Sequence, residues 1–139
     1  MSADTFIDTN VLAYAFDQES PEKREVAQSL IRQCEFVISA QVLGELYVTL
    51  TRKLRRQVPA EVAKQVIVEL QAMTVVPTTA TLVARAISTS IEFQLSYWDA
   101  LIIEAAVLSG CATLLTEDLN DGETVRGVRI VNPFRRAAR

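Results

Sequence analysis

Short apolar runs alternate with longer stretches of helical periodicity along this chain, and the alternation restricts the folds that it can adopt. Five runs have the length and composition of strands, at residues 4–8, 35–38, 75–76, 112–115 and 128–131. Helices are predicted between them, at about residues 9–16, 21–33, 40–54, 59–73, 80–93 and 97–109. Short strands that alternate with helices indicate an α/β fold with a parallel, doubly wound sheet of about five strands.

The length of 139 residues is that of one domain. We place this domain at residues 1–134 and interpret residues 135–139 as a basic C-terminal tail. Half of the residues are hydrophobic and the mean hydropathy is +0.20. This excess indicates several fully buried elements and an apolar face for a partner.

Neither a membrane span nor a secretory signal is predicted. The longest apolar stretches are interrupted by Glu45, Glu69 or Glu104, far short of a spanning helix. The first residues include Asp4 and Asp8 but no early Lys or Arg, which does not fit a signal peptide. The prediction is therefore a cytoplasmic protein. Its formal net charge of −3 does not indicate a nucleic-acid binder, although a local basic patch can coexist with it.

The chain contains no histidine. This excludes acid–base pairs that use histidine, His–Cys zinc sites and Ser-His-Asp triads. The two cysteines, Cys34 and Cys111, do not have metal-binding spacing and are interpreted as buried thiols. Any catalysis is left to carboxylates, hydroxyls, Lys, Arg or a bound metal.

Asp8 ends the first predicted strand and is flanked by apolar residues on both sides. Open α/β sheets bind ligands at the carboxyl ends of their strands, which makes Asp8 the first candidate site residue. An aspartate at this place can also be the N-cap of the following helix. The local sequence alone favours the cap.

Asp99 lies near the start of the last helix, in apolar surroundings. The spacing Ser96-x-x-Asp99 resembles a capping box, so capping and ligand binding both stay open. Glu104 is a competing acid on the same helix, but five residues further on it lies on a different face.

Asp118 and Glu45 are the remaining candidates. Asp118 follows the fourth strand by about two residues, and its loop composition alone favours ordinary turn chemistry. If the first and fourth strands are neighbours, Asp118 shares a crevice with Asp8. Glu45 lies off the apolar stripe of the third helix, and periodicity alone predicts that it faces solvent.

Taken together, these four acids come from four separate elements. Carboxylates packed in one crevice repel one another and are desolvated, and a divalent cation relieves both effects. Oxygen ligands without histidine or cysteine favour Mg²⁺ or Mn²⁺. The chemistry most often performed by such a site is phosphoryl transfer with a metal-activated water.

Several phrases of the sequence, in order and in spacing, resemble the PIN-domain ribonucleases, and among them the VapC-type toxins of toxin–antitoxin pairs. The phrases span nearly the whole chain and are Phe6-Ile7-Asp8-Thr9-Asn10-Val11-Leu12, Ser39-x-Gln41-Val42-Leu43-x-Glu45, Tyr97-Trp98-Asp99-Ala100-Leu101-Ile102, Leu114-Leu115-Thr116-Glu117-Asp118-Leu119 and Gly127-Val128-x-Ile130-Val131-Asn132-Pro133-Phe134. The resemblance implies a PIN-like, three-layer fold in which a parallel sheet lies between helices.

The resemblance also implies the site residues. The catalytic acids are Asp8, Glu45, Asp99 and Asp118. Of these, Asp8, Asp99 and Asp118 are the expected metal ligands, and Glu45 helps directly or through water. Small polar residues that orient the acids are expected at Thr9, Asn10 and Thr116.

The expected activity is Mg²⁺-dependent endonucleolytic cleavage of RNA by a metal-activated water, with Mn²⁺ able to substitute. The expected partners are the RNA substrate, a cognate antitoxin protein and a second copy of the chain in a homodimer. Candidate RNA contacts lie in a basic run at the end of the third helix, Arg52, Lys53, Arg55 and Arg56. The same run is also explained by cations that complement the helix dipole, and this reading is favoured.

Three alternative functions agree less well with the sequence. A haloacid-dehalogenase-like phosphatase needs a second Asp two residues after the first, where this chain has Asn10. A response-regulator receiver needs an acceptor Asp at the end of its third strand, and Val75-Val76-Pro77 provides none. A PIN-like module that only binds is expected to lack one of the four acids, and none is missing.

Overall fold

A computed structural model describes residues 3–33 and 35–135 of the chain. Its strands are β1 (Thr5–Ile7), β2 (Val37–Ser39), β3 (Thr74–Val76), β4 (Thr113–Leu115), β5 (Thr124–Val125) and β6 (Val128–Val131). Its helices are α1 (Thr9–Tyr14), α2 (Pro21–Gln33), α3 (Ala40–Val48), α4 (Ala60–Leu70), α5 (Ala80–Phe93) and α6 (Tyr97–Leu108). Cys34 and most of the predicted basic tail, residues 136–139, lie outside the described residues.

The sheet has six strands in the order β3-β2-β1-β4-β6-β5. The five predicted strands are confirmed, and they pair in parallel. A sixth strand, β5, was not predicted and pairs antiparallel with β6 at the edge of the sheet. Between them Arg126 and Gly127 both have positive φ, 54° and 79°, as a two-residue hairpin turn requires. Arg126 is not a residue typical of such turns, so the hairpin was not predicted.

The inner strands are covered on both faces. Phe6 and Ile7 are consecutive residues of β1, so their side chains point to opposite faces of the sheet, and both are fully buried. Helix α6 is buried from Ala100 to Ala106 and packs against α5, while α1 contacts α2 and α3. The sheet therefore lies between layers of helices, which confirms the predicted α/β class.

Most predicted helix starts are confirmed, whereas one predicted helix changes its winding. The side chains of Ser39, Thr79 and Ser96 each accept a hydrogen bond from the backbone amide three residues later. The third helix was predicted to run to about residue 54 without a break. Its α-helical part ends at Val48, and Thr49–Lys53 continue it as a π-helical turn. In residues 3–33 and 35–135 no helix has the length and apolar character needed to cross a membrane.

The strand order reverses between β1 and β4, because the chain adds β2 and β3 on one side of β1 and later strands on the other. Asp8 follows β1, and its amide donates to the carbonyl of Leu115 at 3.0 Å. Thr116 follows β4. The residues that follow β1 and β4 therefore lie together at the switch point between these strands, where ligands bind in sheets of this kind.

Candidate functional site

A cavity of about 560 Å³ opens at this switch point. All four predicted acids line it, although they come from four different elements. The full lining is Asp8, Thr9, Asn10, Gln41, Gly44, Glu45, Val48, Thr49, Lys53, Trp98, Asp99, Ile102 and Asp118. Its size is that of a small-ligand pocket.

Asp8 is both a helix cap and a pocket acid. Its Oδ1 accepts from the amide of Thr9 at 2.7 Å, as the capping interpretation predicted, and its Oδ2 accepts from the hydroxyl of Thr116 at 2.8 Å. The residue is only 6% exposed. Burial raises the pKa of Asp8 from 3.8 to about 6, with a smaller contribution from the charges of Asp118 and Glu45, while the two hydrogen bonds lower it.

Glu45 lies on α3 and is exposed, as its periodicity predicted. Its side chain is exposed to the open pocket, which it helps to line. The hydroxyl of Thr9 donates to its Oε1 at 2.9 Å. The amide of Gln41 donates to its Oε2 at 3.3 Å and to the carbonyl of Trp98 at 3.4 Å. Gln41 therefore ties the carboxylate on α3 to the first turn of α6.

Asp99 is half-buried in the first turn of α6. Its amide donates to the hydroxyl of Ser96 at 3.1 Å, so the predicted cap is present. Burial raises the pKa of the Asp99 carboxyl, the charges of Asp118 and Glu45 raise it further, and Ser96 lowers it. Unlike the cap at Asp8, this contact uses the backbone amide of Asp99 and not its carboxylate.

The hydroxyl of Thr116 connects the loop after β4 to Asp8. It donates to Asp8 and accepts from the amide of Asp118 at 3.1 Å and from the Asn10 side chain at 3.3 Å. The Asn10 carbonyl in turn accepts from the amide of Glu117 at 3.1 Å. Thr9, Asn10 and Thr116 therefore contact the acids or their loop, while their orienting role stays a prediction.

Replacing Thr116 with valine is expected to destabilise the protein by about 1–3 kcal/mol, because a buried carboxylate and an amide lose their partner without a change in side-chain volume. The pKa of Asp8 should rise further, since the lost hydrogen bond lowers it. Chemical denaturation and NMR titration measure the two effects. Thr113→Val, in the strand that precedes Thr116, is the matched control, and an equal effect of both variants would contradict the assignment.

A cluster beside the pocket was not predicted. The hydroxyl of Tyr14 donates to Glu117 at 2.8 Å, and Lys23 forms an ion pair with the same carboxylate. The Lys23 ammonium lies 4.7 Å from the ring centroid of Tyr14 and 5.5 Å from that of Phe134. Glu117 directly precedes Asp118, so the cluster fixes the loop that carries a pocket acid. Its members are far apart in sequence, which left no local signal.

The predicted basic run divides in the structure. Lys53, in the π-helical turn, lines the pocket. Arg52, Arg55 and Arg56 are exposed outside it, and Arg55 lies 3.5 Å from Glu19 in a solvent-exposed ion pair. Within the described part of the chain, Lys53 is thus the only cationic side chain that lines the pocket.

Glu104, the competing acid, is separate from the pocket. It is 2% exposed and pairs with Arg126, whose guanidinium donates to both carboxylate oxygens at 3.0 and 3.2 Å. The hydroxyl of Thr89 donates to it at 2.8 Å. These partners neutralise Glu104 and give it a structural role.

The donors of the pocket fit a hard divalent cation in type, because they are oxygen atoms of carboxylates that converge on one cavity. In residues 3–33 and 35–135, no three acidic or cysteine side chains are close enough together to form a metal site as they stand. Asp8 and Glu45 each accept hydrogen bonds on both carboxylate oxygens. Asp118 is exposed and Asp99 is half-buried, so these two side chains retain more freedom to rotate.

Comparisons with known proteins agree with this architecture. The PIN domain profile matches residues 5–121. A toxin–antitoxin complex from Klebsiella pneumoniae superposes with a TM-score of 0.68 at 20% identity, covering 95% of this chain and 98% of that chain. VapC20 of Mycobacterium tuberculosis, described as a sarcin–ricin loop cleaving toxin, gives 0.67 at 24% identity over 90% and 98%. FitAcB from Neisseria gonorrhoeae gives 0.60 at 18% identity over 94% and 98%. No curated protein is significantly similar in sequence.

Proposed function

This chain belongs to the PIN-domain family, and from that premise we propose that it is an endoribonuclease that cleaves RNA phosphodiester bonds with bound Mg²⁺, for which Mn²⁺ can substitute. The observation that carries the proposal is the pocket itself. Four carboxylates from four elements line it, at the switch point of the sheet, in a chain without histidine. The similar fold of a sarcin–ricin loop cleaving toxin supports RNA as the substrate.

Asp8, Asp99 and Asp118 would hold the ion, and Glu45 would assist directly or through water. Bound Mg²⁺ would supply an activated water as the nucleophile and offset charge at the phosphate. Asp8 is orientated for this task by Thr116 and the Thr9 amide. Because its pKa is about 6, it is ionised at neutral pH and becomes protonated in mild acid, where cation binding should weaken.

The positive charge available to the RNA backbone in the pocket comes from Lys53. Phosphate contacts are salt-dependent attractions between cations and the backbone, and one lysine can provide one of them. We assign Arg52, Arg55 and Arg56 to the approach of the RNA outside the pocket, which their exposure permits.

In the cell, we propose that the chain is the toxin of a VapBC-type pair and that a cognate antitoxin inhibits it. The support is the similar fold of the toxin–antitoxin complex from Klebsiella pneumoniae. We also propose a homodimer. The exposed apolar side chains of α3 and α4, Tyr47, Val48, Val62 and Val68, provide surface for such assembly.

The proposed activity predicts that a structured RNA is cleaved in Mg²⁺ or Mn²⁺, and that EDTA stops the cleavage reversibly. Asp99→Asn removes an expected ligand while the cap from Ser96 to its amide can persist. We expect cleavage to fall strongly in this variant, measured on gels under multiple-turnover conditions. Asp4→Asn, an exposed acid outside the pocket, is the control. Cleavage that survives both EDTA and Asp99→Asn would disprove the proposal.

One observation favours a second candidate, a PIN-like module that binds without cleaving. In the described part of the chain the acids line the pocket without forming a preassembled cluster of three. Titration with Mg²⁺ in a calorimeter separates the two functions. A nuclease gives a heat of binding that Asp99→Asn diminishes, whereas a binding module gives none.

A further inference from the structure

Trp98 stands out on the buried helix α6. Residues 100–106 of this helix are buried, but Trp98 is 60% exposed and is one of the residues that line the pocket, next to Asp99. A large aromatic side chain that is left exposed in a concave site is a common feature of ligand-binding surfaces.

The position of Trp98 is fixed by its surroundings. Ser96, two residues before Trp98, caps the helix. The Gln41 amide donates to the carbonyl of Trp98 at 3.4 Å. The ring of Tyr97 packs against the indole edge-to-face, with centroids 4.9 Å apart and an interplanar angle of 72°. The backbone of Trp98 therefore belongs to a rigid element, which reduces the conformational entropy that is lost when the residue binds a ligand.

We propose that Trp98 is a stacking platform for an unpaired nucleobase next to the scissile phosphate. This inference rests on the proposed function. Indole rings stack on any base, but only on a base that is not already stacked and paired in a duplex. Lys53 in the same pocket is available to the neighbouring phosphate.

The chemistry of the pocket favours a nucleotide over a segment of protein. An apolar segment packed on Trp98 would also cover Asp99 and Glu45 and leave their charges desolvated. A nucleotide presents an aromatic face to the indole and a phosphate to the cation that the acids would hold. One nucleotide would therefore contact both Trp98 and the acidic part of the pocket.

The sole tryptophan of the chain gives a direct test. In a Glu45→Gln background, which is expected to suppress cleavage but keeps the three expected metal ligands, short oligo(A) and oligo(U) RNAs are titrated in Mg²⁺ while the intrinsic fluorescence is recorded. We expect saturable quenching by both single strands, stronger with the adenines, and little quenching by the annealed oligo(A)·oligo(U) duplex. Trp98→Phe in the same background supplies the baseline. Equal quenching by duplex and single strands, or none by either, would overturn the platform.

The cleavage kinetics of Trp98 variants test the same proposal. Trp98→Ala is expected to raise KM for a looped RNA on the order of 10- to 100-fold, with Trp98→Phe restoring much of the loss. Mg²⁺ affinity, measured by calorimetry, should be unchanged in both variants, which separates stacking from distortion of Asp99. Phe93→Ala, an exposed aromatic residue outside the pocket, is the matched control.

The outcomes distinguish the platform from the proposed function. RNA cleavage by the wild type, with no fluorescence change and an unaffected Trp98→Ala variant, would overturn the platform and leave the nuclease. Selective quenching without any cleavage would support the platform and overturn the nuclease. Fluorescence that changes on dilution of the protein alone would place Trp98 in a protein interface and overturn the platform.

Discussion

Replacing Asp8 with asparagine is expected to stabilise the metal-free protein at neutral pH while abolishing its activity. Asp8 is 6% exposed and burial raises its pKa from 3.8 to about 6. Its charge is therefore unfavourable for folding in the absence of a cation. The new amide keeps the volume and can still cap α1, because asparagine and aspartate are similar N-caps. At pH 7.5 the difference between the folded and unfolded pKa of Asp8 corresponds to a gain of at most about 3 kcal/mol in the free energy of unfolding of the variant.

The pH dependence identifies the cause. A carboxyl whose folded pKa exceeds its unfolded value binds its proton more tightly in the folded state. The free energy of unfolding of the wild type should therefore fall as the pH rises from about 4 to about 6, and Asp8→Asn should lack this fall. The gap between the two proteins opens in that window and stays constant above it. Urea denaturation in EDTA, with Asp4→Asn as control, measures it; a gap that does not depend on pH would contradict the burial argument.

Asp8→Asn is also expected to abolish the activity. Loss of a residue that merely supports a metal ligand lowers activity or affinity by about 10- to 100-fold, so loss of the expected ligand itself should exceed that. RNA cleavage and the heat of Mg²⁺ binding should both disappear. If the chain is a toxin, expressing the wild type alone should arrest bacterial growth, and Asp8→Asn should relieve the arrest. A more stable variant with full activity would remove Asp8 from the proposed site.

The strands and helices were predictable because local patterns determine them, whereas the site depends on tertiary placement. Asp8 was recognised from a carboxylate at a strand end, and the structure adds that one side chain serves as cap and pocket acid together. Glu45 shows the limit of periodicity. Its spacing correctly gave an exposed side chain, but periodicity does not distinguish bulk solvent from an open pocket. The resemblance, and not the spacing, named it as a site residue.

The features that the sequence did not predict depend on tertiary packing or on an unusual turn residue. Lys23 and Tyr14 meet Glu117 across roughly a hundred residues, and no local propensity records such a contact. Trp98 was visible in the sequence beside Asp99, but an aromatic residue in an apolar helix is normally assigned to the core. Its exposure follows only from the packing of α6. Arg126 is not a typical turn residue, so its positive φ could not be predicted from the sequence.

Arg126 forms an ion pair with the buried Glu104. Arg126→Ala is therefore expected to destabilise the protein by about 3 kcal/mol, because it leaves the carboxylate of Glu104 buried without its counter-charge. Arg126 is the only cation paired with Glu104 among the described residues, and it adopts a φ of 54° that an alanine would also resist. Arg126→Gly should lose less, since glycine accepts that φ. Arg129→Ala, an exposed neighbour in β6, should change stability by no more than about 0.5 kcal/mol.

A double variant then separates the ion pair from the turn. With Glu104→Met and Arg126→Gly together, no charge is left buried and the hairpin keeps its backbone, so most of the lost stability should return, as replacing buried ion pairs with apolar side chains often allows. The pair lies outside the acidic pocket, and cleavage measured well below the unfolding transition should therefore match the wild type in every variant. Urea denaturation of the single and double variants completes the cycle. If the double variant is no more stable than Arg126→Ala, the buried charge is not the cause, and the contact between the hairpin and α6 must be stabilised by packing instead.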